Sequence, residues 1–115
     1  PGSSRIDALI LAPTRELAQQ IAEELNAIGR IKGIRTLPIF GGENMFYQKD
    51  QLKTGNFQII AGTPGRVLDH MRQLTLNTRH IRMLILDEAD EMLDMGFLPD
   101  MEAIMKELPM GRETW

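Results

Sequence analysis

Apolar residues along the chain fall into two alternating kinds of run. Ala8–Ala12 (ALILA), Leu37–Phe40, Phe57–Ala61 and Met83–Leu86 are strand-length and continuous but for Gln58. None alternates polar with apolar, the pattern of strands covered on both faces. Between them, apolar positions return at helical spacing. Leu17, Ile21, Leu25 and Ile28 predict one apolar face of a helix that closes near Gly29. A second helix is predicted from about Asn44 to Lys53, closed by Gly55, with Phe46 and Tyr47 packing as part of a half-buried element. A third runs from Pro64 to about Arg72. A fourth carries Met101, Ile104, Met105 and Leu108 on one face and ends at Pro109 and Gly111. Glu88–Leu93 reads as a short helical turn before Gly96, Trp115 as the start of a further strand, and Pro1–Ser4 as a frayed end. The order β-α-β-α-β-α-β-α predicts an α/β fold: a three-layer parallel sheet with helices on both faces.

In such a sheet every strand-to-helix turn lies on one edge, where ligands bind at the carboxyl ends of the strands. The first turn is Pro13-Thr14-Arg15-Glu16-Leu17. Thr14 suits an N-cap and Glu16 a first turn, but Arg15 sets a cation against the positive end of the helix dipole unless an anion lies between. The second turn holds Gly41-Gly42, which permits positive φ and offers bare N–H groups to an anion. The third is Thr63-Pro64-Gly65-Arg66, with Thr63 as N-cap, Pro64 at the first helical position, Gly65 allowing close approach and Arg66 again a first-turn cation. Each motif alone is an ordinary turn or helix start. Three on one edge suit a phosphodiester backbone better than a single anion.

The fourth turn has the opposite chemistry. Met83-Leu84-Ile85-Leu86 runs into Asp87-Glu88-Ala89-Asp90. Carboxylates at a buried strand's tip suit a hard cation, and Asp87 can hold Mg²⁺ through water. Glu88 can act as a base on a water attacking a phosphoryl group. The plain alternative is an acidic helix start, which accounts for Glu91 and Asp94.

Length and composition bound these readings. The 115 residues have room for one small domain. The absence of cysteine excludes disulfides and thiolate zinc. No uncharged apolar run approaches the roughly 18 residues of a membrane span, so no membrane role and a cytoplasmic location are expected. The formal charge of −3 hides a division. Residues 1–86 carry 11 Lys and Arg against 7 Asp and Glu, and residues 87–115 carry 2 against 9. His70 and His80 have no ligand partners at suitable spacing.

With the four turns in this order, the sequence closely resembles the DEAD-box ATP-dependent RNA helicases of superfamily 2. Pro13–Leu17 is similar to motif Ia, Gly41-Gly42 to the GG motif, Thr63–Arg66 to motif Ib and Asp87–Asp90 to motif II. Glu91–Phe97 also fits the family pattern, and the resemblance spans about residue 6 to Trp115. It implies a RecA-like fold of the P-loop NTPase type, with residues 1–115 as the middle of RecA-like domain 1. It implies that Asp87 holds Mg²⁺, that Glu88 orients or activates the hydrolytic water, and that Asp90 links the ATP site to motif III and a second RecA-like domain. Thr14, Arg15, Gly42, Thr63 and Arg66 would contact the RNA backbone, together with Gly41 of the same doublet. Pro13, Pro64 and Gly65 would shape those turns.

The Q motif, the Gly-x-x-x-x-Gly-Lys-Thr P-loop, motif III and the second domain are not among these residues. The expectation is therefore a truncated domain, inactive alone, from an enzyme that couples Mg-ATP hydrolysis to RNA binding and local unwinding. The motif III strand would lie beside Met83–Leu86, so that strand is expected to be an exposed apolar edge through which the fragment self-associates. The alternative is a non-catalytic RNA-binding or interaction module of the same fold. A flavodoxin-like phospho-receiver would need an acceptor Asp at an earlier strand end, where this chain has Pro13-Thr14, Gly41-Gly42 and Thr63-Pro64.

Overall fold

The computed structural model describes residues 5–115; Pro1–Ser4 lie outside the described residues. The elements are β1 (Ala8–Leu11), α1 (Arg15–Gly29), a 3₁₀ turn (Arg30–Lys32), β2 (Thr36–Ile39), α2 (Met45–Thr54), β3 (Ile59–Gly62), α3 (Pro64–Arg72), β4 (Met83–Leu86), α4 (Ala89–Asp94), α5 (Leu98–Glu107) and β5 (Glu113–Thr114). The strands form one sheet in the order β2-β3-β1-β4-β5, and every neighbouring pair is parallel.

The continuous apolar runs are explained by helices on both faces. On one face Leu9, Leu11, Ile39, Ile60 and Leu84 pack with Leu52 of α2, Val67, Leu68 and Met71 of α3, Met92 of α4 and Met101 and Ile104 of α5. On the other, Ile10 and Ala61 pack against Ala22 of α1, with Ile21, Leu25, Ile59 and Ile85 at the margin. The large core thus lies under four helices and the small one under α1 alone.

The structure changes three expectations. Ile28 is 75% exposed. The face of α1 that meets the sheet centres on Ala18 and Ala22, so the larger side chains flank the contact. Phe46 and Tyr47 do not pack inward; α2 buries Gln48 and Leu52, one turn apart. Met83–Leu86 is not an open edge either. Glu113 N–H donates to Arg82 O, Trp115 N–H to Leu84 O and Leu86 N–H to Trp115 O, each at 2.8 Å. With β5 seated there, the apolar strand is interior and the outer strand is short and exposed, an arrangement that discourages edge pairing.

Candidate functional site

Because all strands are parallel, their carboxyl ends share one edge. The strand order sets the four turns along it in the sequence second, third, first, fourth. Ladder hydrogen bonds continue into the turns: Thr63 N–H donates to Ile39 O at 3.0 Å, Ala12 N–H to Gly62 O at 2.9 Å and Asp87 N–H to Leu11 O at 2.9 Å. The turns are therefore fixed relative to one another by the sheet. Gly62 makes this close fit possible, since a Cβ there would lie 2.8 Å from Ile39 O and 2.5 Å from Val67 Cγ2.

Each expected residue has a definite place. Thr14 is the N-cap of α1 and accepts from Leu17 N–H at 3.2 Å. Pro13 is buried beneath that turn. Arg15 is exposed, with its guanidinium carbon 5.0 Å from the centroid of the Phe40 ring. Gly41 and Gly42 are both exposed, and only Gly42 uses the left-handed region, at φ 89°. A Cβ on Gly42 would stand 3.5 Å from Arg15 Nη1, so the first and second turns meet at this point. Thr63 occupies the N-cap position of α3, but its hydroxyl makes no capping bond, and Pro64 follows, buried, at the start of the helix. Gly65 needs no special backbone, and a Cβ there would meet nothing closer than Asp100 Oδ2 at 3.8 Å. No crowding within the chain demands glycine at 65.

Arg66 is half-buried and engaged. Its Nη1 donates to Glu43 O at 2.8 Å and to Gln48 Oε1 at 2.9 Å. Gln48 Nε2 donates to Phe40 O at 3.0 Å and to Glu43 Oε1 at 2.9 Å. His70 Nε2 lies 2.9 Å from Gln48 Oε1, and its Nδ1 lies 2.7 Å from Thr75 Oγ1. Since Oε1 can only accept, His70 Nε2 carries the proton, and the one Thr75 hydroxyl proton is shared between Nδ1 and His70 O, to which Thr75 Oγ1 donates at 3.1 Å. Burial, then the charges of Arg66 and Lys49, push His70 down to about 4, with Asp69 opposing. The imidazole is therefore neutral at neutral pH. Sequence reading missed Gln48 and His70. The signal was there in the spacing: Gln48 precedes Leu52, and Arg66 precedes His70, by one helical turn each.

The fourth turn stands apart. Asp87 is half-buried, while Glu88 and Asp90 are exposed. Asp87 borders a shallow groove of about 280 Å³ lined by Ile10, Ile21, Glu24, Leu25, Ile28 and Ile85. Glu88 adopts the left-handed conformation, φ 56° and ψ 49°, at the N-cap of α4. A non-glycine residue there costs about 1–2 kcal/mol. It is held between the ladder bond of Asp87 and the bond from Met92 N–H to Glu88 O at 3.1 Å. Among the described residues no group of three or more His, Asp or Glu encloses a metal site. No carboxylate oxygen of this turn is hydrogen-bonded within the described residues, which leaves Asp87 free to ligate. A single carboxylate of this kind fits an ion that keeps most of its water, as Mg²⁺ does.

The family model described as DEAD/DEAH box helicase matches residues 2–114. The chain is 49% identical over 112 residues to the DEAD-box ATP-dependent RNA helicase CshA of Geobacillus kaustophilus, covering 97% of this chain and 24% of that protein. It is 51% identical over 112 residues to the ATP-dependent RNA helicase CshA of Listeria monocytogenes, covering 97% and 21%. Among solved structures, a DEAD box protein from the hyperthermophile Methanococcus jannaschii superposes with a TM-score of 0.90 at 44% identity, over 96% of this chain and 30% of that one. S. cerevisiae Dbp5 bound to RNA and ADP BeF3 superposes with a TM-score of 0.83 at 34% identity, over 99% and 28%. The chain thus spans about a quarter of the length of the curated relatives it matches.

Proposed function

The chain belongs to the DEAD/DEAH box helicase family, and we propose that its 115 residues are the middle of the first RecA-like domain of a cytoplasmic ATP-dependent RNA helicase. The observation that carries this reading is the strand order. It sets the Gly41-Gly42, Thr63–Arg66 and Pro13–Leu17 turns side by side, with the Asp87–Asp90 turn next in line. The first three turns would grip an RNA backbone. Thr14, Arg15, Gly41, Gly42, Thr63, Gly65 and Arg66 supply hydroxyls, guanidinium groups and uncrowded backbone, and the buried Pro13 and Pro64 set the chain direction. Contacts to the backbone rather than to base edges give low sequence specificity.

The fourth turn would face Mg-ATP. The bound nucleotide supplies the phosphoryl group, and its ion neutralises charge on the phosphates. Asp87 would hold that ion through water. Glu88 would orient the attacking water and accept its proton on the carboxylate. Asp90, exposed on the first turn of α4, would contact the second domain and so couple hydrolysis to RNA grip and local unwinding.

The test is RNA-stimulated ATP hydrolysis by the full-length protein. Glu88→Gln, which keeps the side chain's shape, is expected to lower the rate at least a hundredfold while leaving RNA affinity within about twofold. Undiminished hydrolysis in the variant would refute the assignment of Glu88.

A further inference from the structure

Gln48 and His70 are both 0% exposed, yet neither touches the outer surface of the turns. Apolar residues of similar volume would fill the same space without the cost of burying polar groups. What the polar pair adds is direction. Gln48 joins the second turn, through Phe40 O and Glu43 Oε1, to Arg66 of the third. Its amide must present Oε1 to Arg66; turned over, it would face a donor with a donor. His70 Nε2–H also requires Oε1 and so selects that orientation.

Resting on the RNA reading above, we propose that Gln48 and His70 are positioning residues that hold Arg66 and the Gly41-Gly42 turn in one arrangement for RNA phosphates. Arg66 Nη1 is tethered at two points, Glu43 O and Gln48 Oε1. The other guanidinium nitrogens have no hydrogen bond among the described residues and remain for a phosphate. With the amide unfixed, the guanidinium loses one tether and samples more rotamers, and ordering it again weakens binding.

A double-mutant cycle on the full-length protein tests this. Binding of labelled oligouridylate is measured by anisotropy for His70→Leu, Arg66→Ala and the double variant, well below each variant's melting temperature. Arg66→Ala is expected to weaken binding and reduce its salt dependence. His70→Leu is expected to weaken binding roughly five- to tenfold when Arg66 is present, and to have no further effect when residue 66 is Ala. His70→Gln, whose amide N–H can reach Gln48 Oε1, should bind within about twofold of the parent. A merely structural role would give equal losses in both backgrounds. Equal losses, no loss with His70→Leu, or no rescue by His70→Gln would overturn the positioning role. If His70→Leu fails to fold, the same cycle with Gln48→Met decides by the same criteria. If Arg66→Ala itself binds normally, the RNA reading of this turn fails first, which separates the two failures.

Discussion

His70 shows how a single buried group makes stability depend on pH. Its ordinary value of 6.5 is pushed down to about 4 in the folded chain. Between those values the unfolded chain binds a proton that the native one does not, so stability falls as pH falls through that window. The charged groups that set this are Arg66 and Lys49, which oppose protonation, and Asp69, which favours it; burial is the larger cause. At pH 5 the native state should be about 2 kcal/mol less stable from this residue than at pH 7. Urea unfolding at both pH values should show a shallower pH dependence for His70→Gln than for the parent, and identical slopes would contradict the account. Glu88 holds another unusual local state, a left-handed backbone at the carboxylate turn, a conformation that Leu74 shares at φ 58°. The motif Asp87–Asp90 could be read from sequence, but that conformation could not. It arises because the chain must leave a ladder bond at Asp87 and enter a helix at Ala89 within two residues.

At the level of elements, β2 shows how this sheet closes its outer side. Asn26 of α1 donates from Nδ2 to Thr36 O at 3.0 Å and accepts from Thr36 N–H at 2.7 Å. The side chain thereby occupies a donor and an acceptor that an added strand would use. Asn26→Ala is expected to lower unfolding free energy by about 1–2 kcal/mol, read as a lower urea midpoint; a change within about 0.5 kcal/mol would mean that water replaces the amide fully. The four strand-length apolar runs and their helices were legible because burial on both faces leaves a strand signature broken by a polar residue only at Gln58. Their lateral order was not, because sequence order is silent on crossovers. One residue held the hint: Pro38 cannot donate a ladder bond, which suits the edge position β2 occupies. β5 was foreseen only as a strand beginning at Trp115. Two exposed polar residues, Glu113 and Thr114, carry no periodicity, and their pairing comes from backbone groups alone. Ile28 misled because its spacing fits α1's apolar stripe, while small Ala18 and Ala22 make the close contact.

Across the whole molecule, charge is divided along the chain in step with the edge. Residues 1–86, net +4, hold the three turns read as facing RNA, and residues 87–115, net −7, begin at the carboxylate turn. Among the described residues the one ion pair is Arg5 with Asp7 at 3.6 Å, so neither Arg15 nor Arg66 is neutralised by a carboxylate contact. The candidate turns were legible because each places a cation or a glycine pair at a helix start. Their adjacency, and the buried Gln48–His70 support behind Arg66, came from tertiary packing. The central claim is that adjacent turns grip one backbone, and the salt dependence of RNA binding tests it most directly. For the full-length protein on single-stranded RNA, the slope of log affinity against log salt is predicted to fall in magnitude by about 1.4 in the Arg15→Ala, Arg66→Ala double variant, because two phosphates would no longer be neutralised by the protein. A slope unchanged from the parent would contradict it.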